Sequence, residues 1–425
     1  GLNRVTVEAF SGPDGTGELL DSTHIDIWND VGPTHVYPQA GGGGVSAPVS
    51  AKLVVRDSYL PGVPVLVRVE ALDATGEICR DLWDATVTLS ADSGVQMDVS
   101  AITMYNGMGS VLVTFTGGTG DFQLTASVDG LPLQDADDLT VLDPASATSI
   151  SGDLSLIDAG GVSNWSGIYH VTGDLLVPDG HTLNVAAGTL VLIDGNPTLL
   201  STDGVDIDIQ GVINSQGTEA QPVTFTAFDS AAKWGEMHHD GSEASTYSYT
   251  NITLAGHSPR GGHTNTGPAL RSGGGSIITF DHSSITDLGG KVGQINDSEL
   301  VFQDTLLSRA AMGPEFDHSG LLFQDSFIID MLGQYREDGI TDDDDGIYLH
   351  AAGAGQTIEL IRSVIAHGED DGVDTASSTV LVKDTIIRDY TDKGISVSGG
   401  DTTVEHAIIV GNNIGMEVKS GGATG

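Results

Sequence analysis

A single cysteine, Cys79, stands among 425 residues, so no intrachain disulfide can form, and packing, with or without bound metal, has to hold the fold. Cys79 sits in a strand-like stretch, where a small buried thiol is expected rather than a nucleophile. Cationic side chains are scarce: 16 Lys and Arg face 59 Asp and Glu, a formal charge of −43. A surface of that sign repels nucleic-acid phosphates and anionic lipid, which excludes both as partners and leaves divalent cations as natural ones. No hydrophobic run approaches a membrane span and no signal peptide is present, so membrane insertion is not expected. The chain opens on Gly1 without a methionine, which reads as a mature or excised piece of something longer.

What is present is β-rich. Hydrophobic residues make up 39% of the chain, enough for packed cores, and 58 glycines punctuate short runs of Val, Ile, Leu and Thr without a collagen period. Residues 1–28 read as a hairpin, with strands over Asn3–Phe10 and Ser22–Trp28, belonging to a domain upstream. Residues 29–48, with the run Gly41–Gly44, read as a flexible linker. Over 49–144, alternating runs such as Val65–Ala71, Ala85–Leu89, Ser110–Phe115 and Phe122–Val128 recur at turn spacing, the pattern of a β-sandwich expected to fold alone.

From 145 to 425 the chain repeats itself. Ile278–Asp287, Leu300–Ser308, Leu321–Asp330 and Val380–Asp389 are variants of one phrase, and their hydroxyl residues Ser283, Thr305 and Ser326 fall 22 and 21 residues apart. Ser363, Thr385 and Ala407 continue at 22. Such a period, without a leucine-asparagine consensus or a helix in each repeat, predicts a right-handed parallel β-helix, a solenoid whose coils each stack on the last. Residues 229–276 fit the period poorly and are expected to bulge as a long loop. The overall class is therefore all-β.

A second column follows the phrase. Gly346, Gly372, Gly394 and Gly415 lie 26, 22 and 21 apart, and registering them aligns Asp344, Asp370, Asp392 and Asn413, then Asp345, Asp371 and Lys393. Coils of a β-helix lie about 4.8 Å apart, so stacked carboxylates repel. Water with raised pKa values, a salt bridge from Lys393, or a bound hard cation could compensate. The alignment between coils favours calcium, which takes six to eight oxygen ligands with loose spacing. The ligands would be Asp344, Asp345, Asp370, Asp371, Asp374 and Asp392, with Asp342 and Asp343 nearby. Most other acids are expected to form a solvated face, as in a salt-adapted exoprotein.

His238, His239, His257 and His263 could bind a transition metal but lack helical spacing, so surface histidines are expected. Trp234 and Tyr335 could stack on sugar rings or simply pack. Asn164, Asn251 and Asn296 open glycosylation sequons, a short pattern of little weight.

Three resemblances attach to these residues. The opening Gly-Leu-Asn-Arg-Val-Thr-Val resembles the hairpin before a β-helix in large secreted proteins carrying spore-coat CotH-type kinase and lamin-tail modules. The order Val-Arg-Val-Glu-Ala-Leu-Asp-Ala-Thr-Gly, Val-Thr-Leu-Ser, Gly-Ser-Val-Leu-Val-Thr-Phe, Leu-Thr-Ala-Ser-Val resembles bacterial Ig-like repeats, usually spacers. Glu-Asp-Asp-Gly-Val-Asp and Asp-Lys-Gly-Ile-Ser-Val resemble coils of CotH-associated β-helices and of calcium-dependent polysaccharide lyases. In those lyases calcium neutralises a uronate while a basic side chain removes the adjacent proton. The lyase resemblance implies Asp370, Asp371 and Asp374 as ligands and Lys393 or Arg388 as the base, although the lyase lysine falls where this chain has Ser396 and Val397. Together they imply an extracellular or cell-surface module, non-catalytic and structural or glycan-binding, with polysaccharide or other copies of itself as partner. A calcium-dependent lyase or another glycan-active β-helix enzyme is the alternative.

Overall fold

The computed structural model describes residues 2–11, 17–28, 47–118, 120–195, 204–241, 243–257, 267–333, 344–352 and 355–419. The linker up to position 46 lies outside them, as do His263, Tyr335, Asp342 and Asp343. Among the described residues no helix is long and apolar enough to cross a membrane.

Strands Leu2–Phe10 and Leu19–Trp28 pair antiparallel as the expected hairpin. Residues 50–141 form an antiparallel unit whose strands hydrogen-bond in one continuous path. The order is Ser50–Val54, Pro64–Leu72, Met108–Thr116, Ala101–Tyr105, Asp84–Ala91, Phe122–Val128, Leu133–Val141 and, parallel to the last, Ser58–Tyr59. Alternation sets its inside. Along Asp84–Ala91 only Ala85, Val87 and Leu89 are buried, and they join Val67, Met104, Val113 and Leu124 in one core. Tyr59, Phe115 and Phe122 pack ring to ring there, at centroid distances of 4.9 to 5.8 Å. Cys79 is buried in this core.

From Thr148 on the chain is a parallel β-helix with three strands per coil. Ten strands, from Val162–Trp165 to Gly400–Glu405, make one face, and a 20-stranded sheet makes the other two. The coil Glu299–Gln303, Leu306–Ala310, Met312–Asp317 lies on the next, which starts at Gly320–Gln324, in unshifted register. Like therefore stacks on like. Tyr247, Phe280, Phe302 and Phe323 form a column inside the coils, with centroid separations of 4.6, 5.3 and 5.9 Å. Phe302→Ala would open a void in that column and should cost about 3–5 kcal/mol.

The repeated hydroxyls have a shared job. Ser283, Thr305, Ser326, Ser363 and Thr385 are buried at one corner, where each side chain donates to a carbonyl two residues back. Each of the last three also accepts the backbone N–H of its counterpart one coil earlier, at 3.0 to 3.4 Å. The residue before each hydroxyl turns the corner in the left-handed region: His282, Asp304, Asp325, Arg362 and Asp384 have φ between 47° and 52°. Short polar side chains such as Asp tolerate that conformation, whereas β-branched ones do not.

The expectation of a long loop over 229–276 is corrected. Met237–Asp240, Ser245–Ser248, Thr250–Thr253 and Pro268–Gly273 are ordinary rung strands in register with their neighbours. The hydrophobic alternation fails because a polar ring points inward. His239 is fully buried and bonds the Tyr247 hydroxyl at 2.8 Å, and burial, with a smaller contribution from the His238 charge, pushes its pKa down to about 3.

The antiparallel unit lies against one side of the β-helix. Trp83 and Met108 pack on Leu306, Phe327, Ile329, Val364 and Ile386. Around that patch, Arg309 donates to the Ser110 carbonyl at 2.9 Å and Arg80 pairs with Asp325 at 3.0 Å. His367 stacks on Tyr105 and bonds its hydroxyl at 3.0 Å and Asp330 at 2.6 Å. The Asp330 hydrogen bond raises the His367 pKa, burial opposes it, and the charges of Asp330 and Asp389 outweigh that of Arg388. A proton held more tightly when folded adds stability that is complete below the unfolded value of about 6.5 and is lost as pH rises through the folded one. Thermal melts should therefore show weaker docking at pH 9 than at pH 6, and His367→Asn should flatten the difference; an unchanged slope in that variant would assign the effect to another group.

Candidate functional site

The acidic ridge lies on the last coils, in the bends that lead into each Gly-containing register position. The backbone alignment read from the glycines holds: Gly346 N–H donates to the Asp371 carbonyl and Gly372 N–H to the Lys393 carbonyl, both at 2.8 Å. Asp345, Asp371 and Lys393 thus occupy one column, and each carboxylate serves the coil that follows. Asp345 accepts the Asp371 N–H at 3.3 Å, and Asp371 accepts the Lys393 N–H at 3.0 Å.

The six predicted ligands do not form one cluster. Asp345, Asp371 and Asp374 bring one carboxylate oxygen each to within 4.8 Å of one another, and so do Asp370, Asp371 and Asp392. Asp371 is common to both trios. Asp344 belongs to neither: it is fully buried, and its carboxylate approaches Gly333 beside Glu369. The antiparallel unit supplies no member of either trio.

The two trios differ in charge balance. Lys393 reaches into the second, with its Nζ 3.1 Å from Asp371 Oδ1 and in short contact with Asp392. Burial works to lower the Lys393 pKa, but the hydrogen bonds and charges of Asp392 and Asp371 raise it overall. The first trio meets that ammonium only through the shared Asp371. Asp345 is 4% exposed, and burial first, then Asp374, Asp370 and Asp371, push its pKa well above the carboxylate range. Asp374 is raised by burial and by Asp371, against weaker lowering by Lys419, Ser396 and Lys393. Asp374 Oδ1 is buried without a hydrogen-bond partner among the described residues. Hard oxygens, mutual repulsion and an acceptor left over are what a calcium ion would satisfy, and a proton is the competing occupant.

Arg388 is elsewhere. It is 4% exposed, its guanidinium lies 4.6 Å from the Trp83 ring centroid, and it pairs with Asp84 at 2.7 Å and Asp389 at 2.5 Å. It fastens the two units together, a role its sequence neighbourhood could not show because Trp83 and Asp84 lie some 300 positions away. Trp234 is fully buried and donates to the Thr253 carbonyl at 2.8 Å, so it packs and offers no sugar platform. His238 bonds Asp208 at 3.0 Å. Asn164 belongs to a side-chain ladder in which Asn184 donates to it at 3.0 Å and Asn214 donates to Asn184 at 3.2 Å.

One group was not anticipated. Asp281, His282 and Asp304 also bring a ligand atom each to within 4.8 Å of one another, with His282 Nδ1 2.8 Å from Asp281. The signal was in the repeated phrase, which sets one polar residue immediately before every ladder hydroxyl.

No family model matches this chain, and no curated protein matches it. Among solved structures, one described as "Structure of Yersinia enterocolitica Family 28 Exopolygalacturonase" is similar over 87% of this chain and 80% of that chain, with 10% sequence identity and a TM-score of 0.27. Likeness at that level bears on neither substrate nor catalysis. What stands on the strands themselves is an all-β chain with a long parallel β-helix.

Proposed function

We propose that this chain is a non-catalytic module of the cell surface or extracellular matrix, in which an Ig-like spacer supports a right-handed β-helix that binds glycan and carries calcium. The observation that carries this reading is the state of the two side chains a β-eliminating mechanism would use as base. Arg388 is fixed between Trp83 and Asp84, and Lys393 is held as an ammonium by Asp371 and Asp392. Neither is free to take a proton from a sugar.

Calcium would be held by Asp345, Asp371 and Asp374, with water completing its shell, and would offset the charge of Asp345 and Asp374, which Lys393 reaches only through Asp371. Its role here is to hold coils together. Incubation with a panel of uronic-acid polysaccharides, with and without calcium, should yield no unsaturated product in the ultraviolet. A calcium-dependent rise in absorbance would restore the lyase reading.

A further inference from the structure

We infer that the cleft between the antiparallel unit and the β-helix is the binding site for a neutral oligosaccharide, an inference that rests on the glycan-binding reading above. The cleft has a volume of about 790 Å³ and is walled by Lys52, Arg68 and Arg80 on one side and by His282, Gln303 and Arg362 on the other. Ligand sites favour junctions between folded units and fall in this range of volume.

Its chemistry is unlike the rest of the surface. Four of the chain's sixteen Lys and Arg side chains line it, together with six acids, in a molecule of net charge −43. The wall is near balance yet still slightly negative, which disfavours a uronate or sulfate and suits an uncharged ligand that both donates and accepts hydrogen bonds. Sugar hydroxyls do both.

The polar groups are also held in place before any ligand arrives. Arg68 pairs with Glu70 at 3.0 Å, Lys52 with Glu219 at 2.6 Å, and Arg80 and Arg362 converge on Asp325 at 3.0 and 2.5 Å. Gln303 is oriented by donating to Asp304 at 3.0 Å. Fixed side chains lose little entropy on binding. Arg68, whose side chain is 8% exposed, is held between Glu70 and the Ser284 hydroxyl, at 3.0 and 3.4 Å. His282, 40% exposed and stacked on Tyr249, presents a flat ring at the same wall. The corner residues repeat once per coil, about every 4.8 Å, so the wall offers a row of planar polar groups to an extended chain of sugars.

Isothermal titration of the full chain with neutral and uronic-acid hexasaccharides, using wild type, Arg362→Ala, Gln303→Ala and Asp374→Asn, tests the assignment, with melting curves to confirm that each variant folds. A neutral hexasaccharide should bind, tenfold or more weakly to Arg362→Ala and Gln303→Ala, and unchanged to Asp374→Asn. Binding lost in Asp374→Asn or with chelator but kept in both cleft variants would move the glycan to the ridge and overturn the cleft assignment alone. Capture of uronic-acid chains only would also overturn it. Binding to none of the saccharides would overturn the cleft assignment and the glycan-binding reading together.

Discussion

Chelation of a calcium-loaded sample should lower the melting temperature of the last coils, and calcium should restore it better than magnesium, which demands a tighter octahedron. The unfolded chain has no preformed site, so an ion a thousandfold above its dissociation constant contributes about 4 kcal/mol. Asp374→Asn is the informative substitution. Its Oδ1 has no hydrogen-bond partner among the described residues, so the change removes charge with little loss of structure and should abolish the calcium response. Asp371→Asn should weaken the response too, but it also disturbs the bonds that Asp371 makes to the Lys393 backbone and side chain. Asp401, exposed on the strand Gly400–Glu405, is the fitting control. A melting curve unmoved by chelator, in protein shown to be metal-free, would leave the first trio as carboxylates that share protons.

Trp83→Ala should release the antiparallel unit from the β-helix. The ring is 7% exposed, belongs to the apolar patch between the units and carries Arg388 on its face. Truncating such a side chain costs about 3–5 kcal/mol, and a desolvated cation–π contact accounts for up to about 2 kcal/mol of it. Calorimetry should then show two separated transitions where the parent shows coupled melting. A variant that melts as the parent does would mean that the peripheral contacts, including Arg80 with Asp325 and Arg309 with Ser110, hold the units on their own.

The coils were legible in the sequence because stacking puts identical chemistry at identical intervals. Phe302 above Phe323 and Thr305 above Ser326 repeat an aromatic and a hydroxyl 21 residues apart, and only contacts between successive coils are needed to preserve the pattern. The glycine-registered column was legible for the same reason. What stayed hidden depended on direction or distance. Two adjacent acids, Asp344 and Asp345, point to different places, and only Asp345 joins a trio. His239 broke the expected alternation because a buried hydroxyl, Tyr247, offered it a partner inside the coil. Arg388 was named as a base only through the lyase resemblance, because Trp83 and Asp84, which hold it, come from the other unit. The acidity itself was misleading in one respect: many of the aspartates occupy corners for their tolerance of left-handed backbone, independently of any ligand.

Those corners also constrain how such a molecule can change in length. Inward and outward side chains alternate with a period of two, and each corner needs a residue able to turn left-handed at a set place. Deleting one residue from Leu300–Phe302 would turn Phe302 toward solvent and carry Asp304 off its corner, whereas removing a whole coil would leave the coils on either side with compatible surfaces. Viable variants of this rod should therefore differ by complete turns, with single insertions confined to the segments that project between strands.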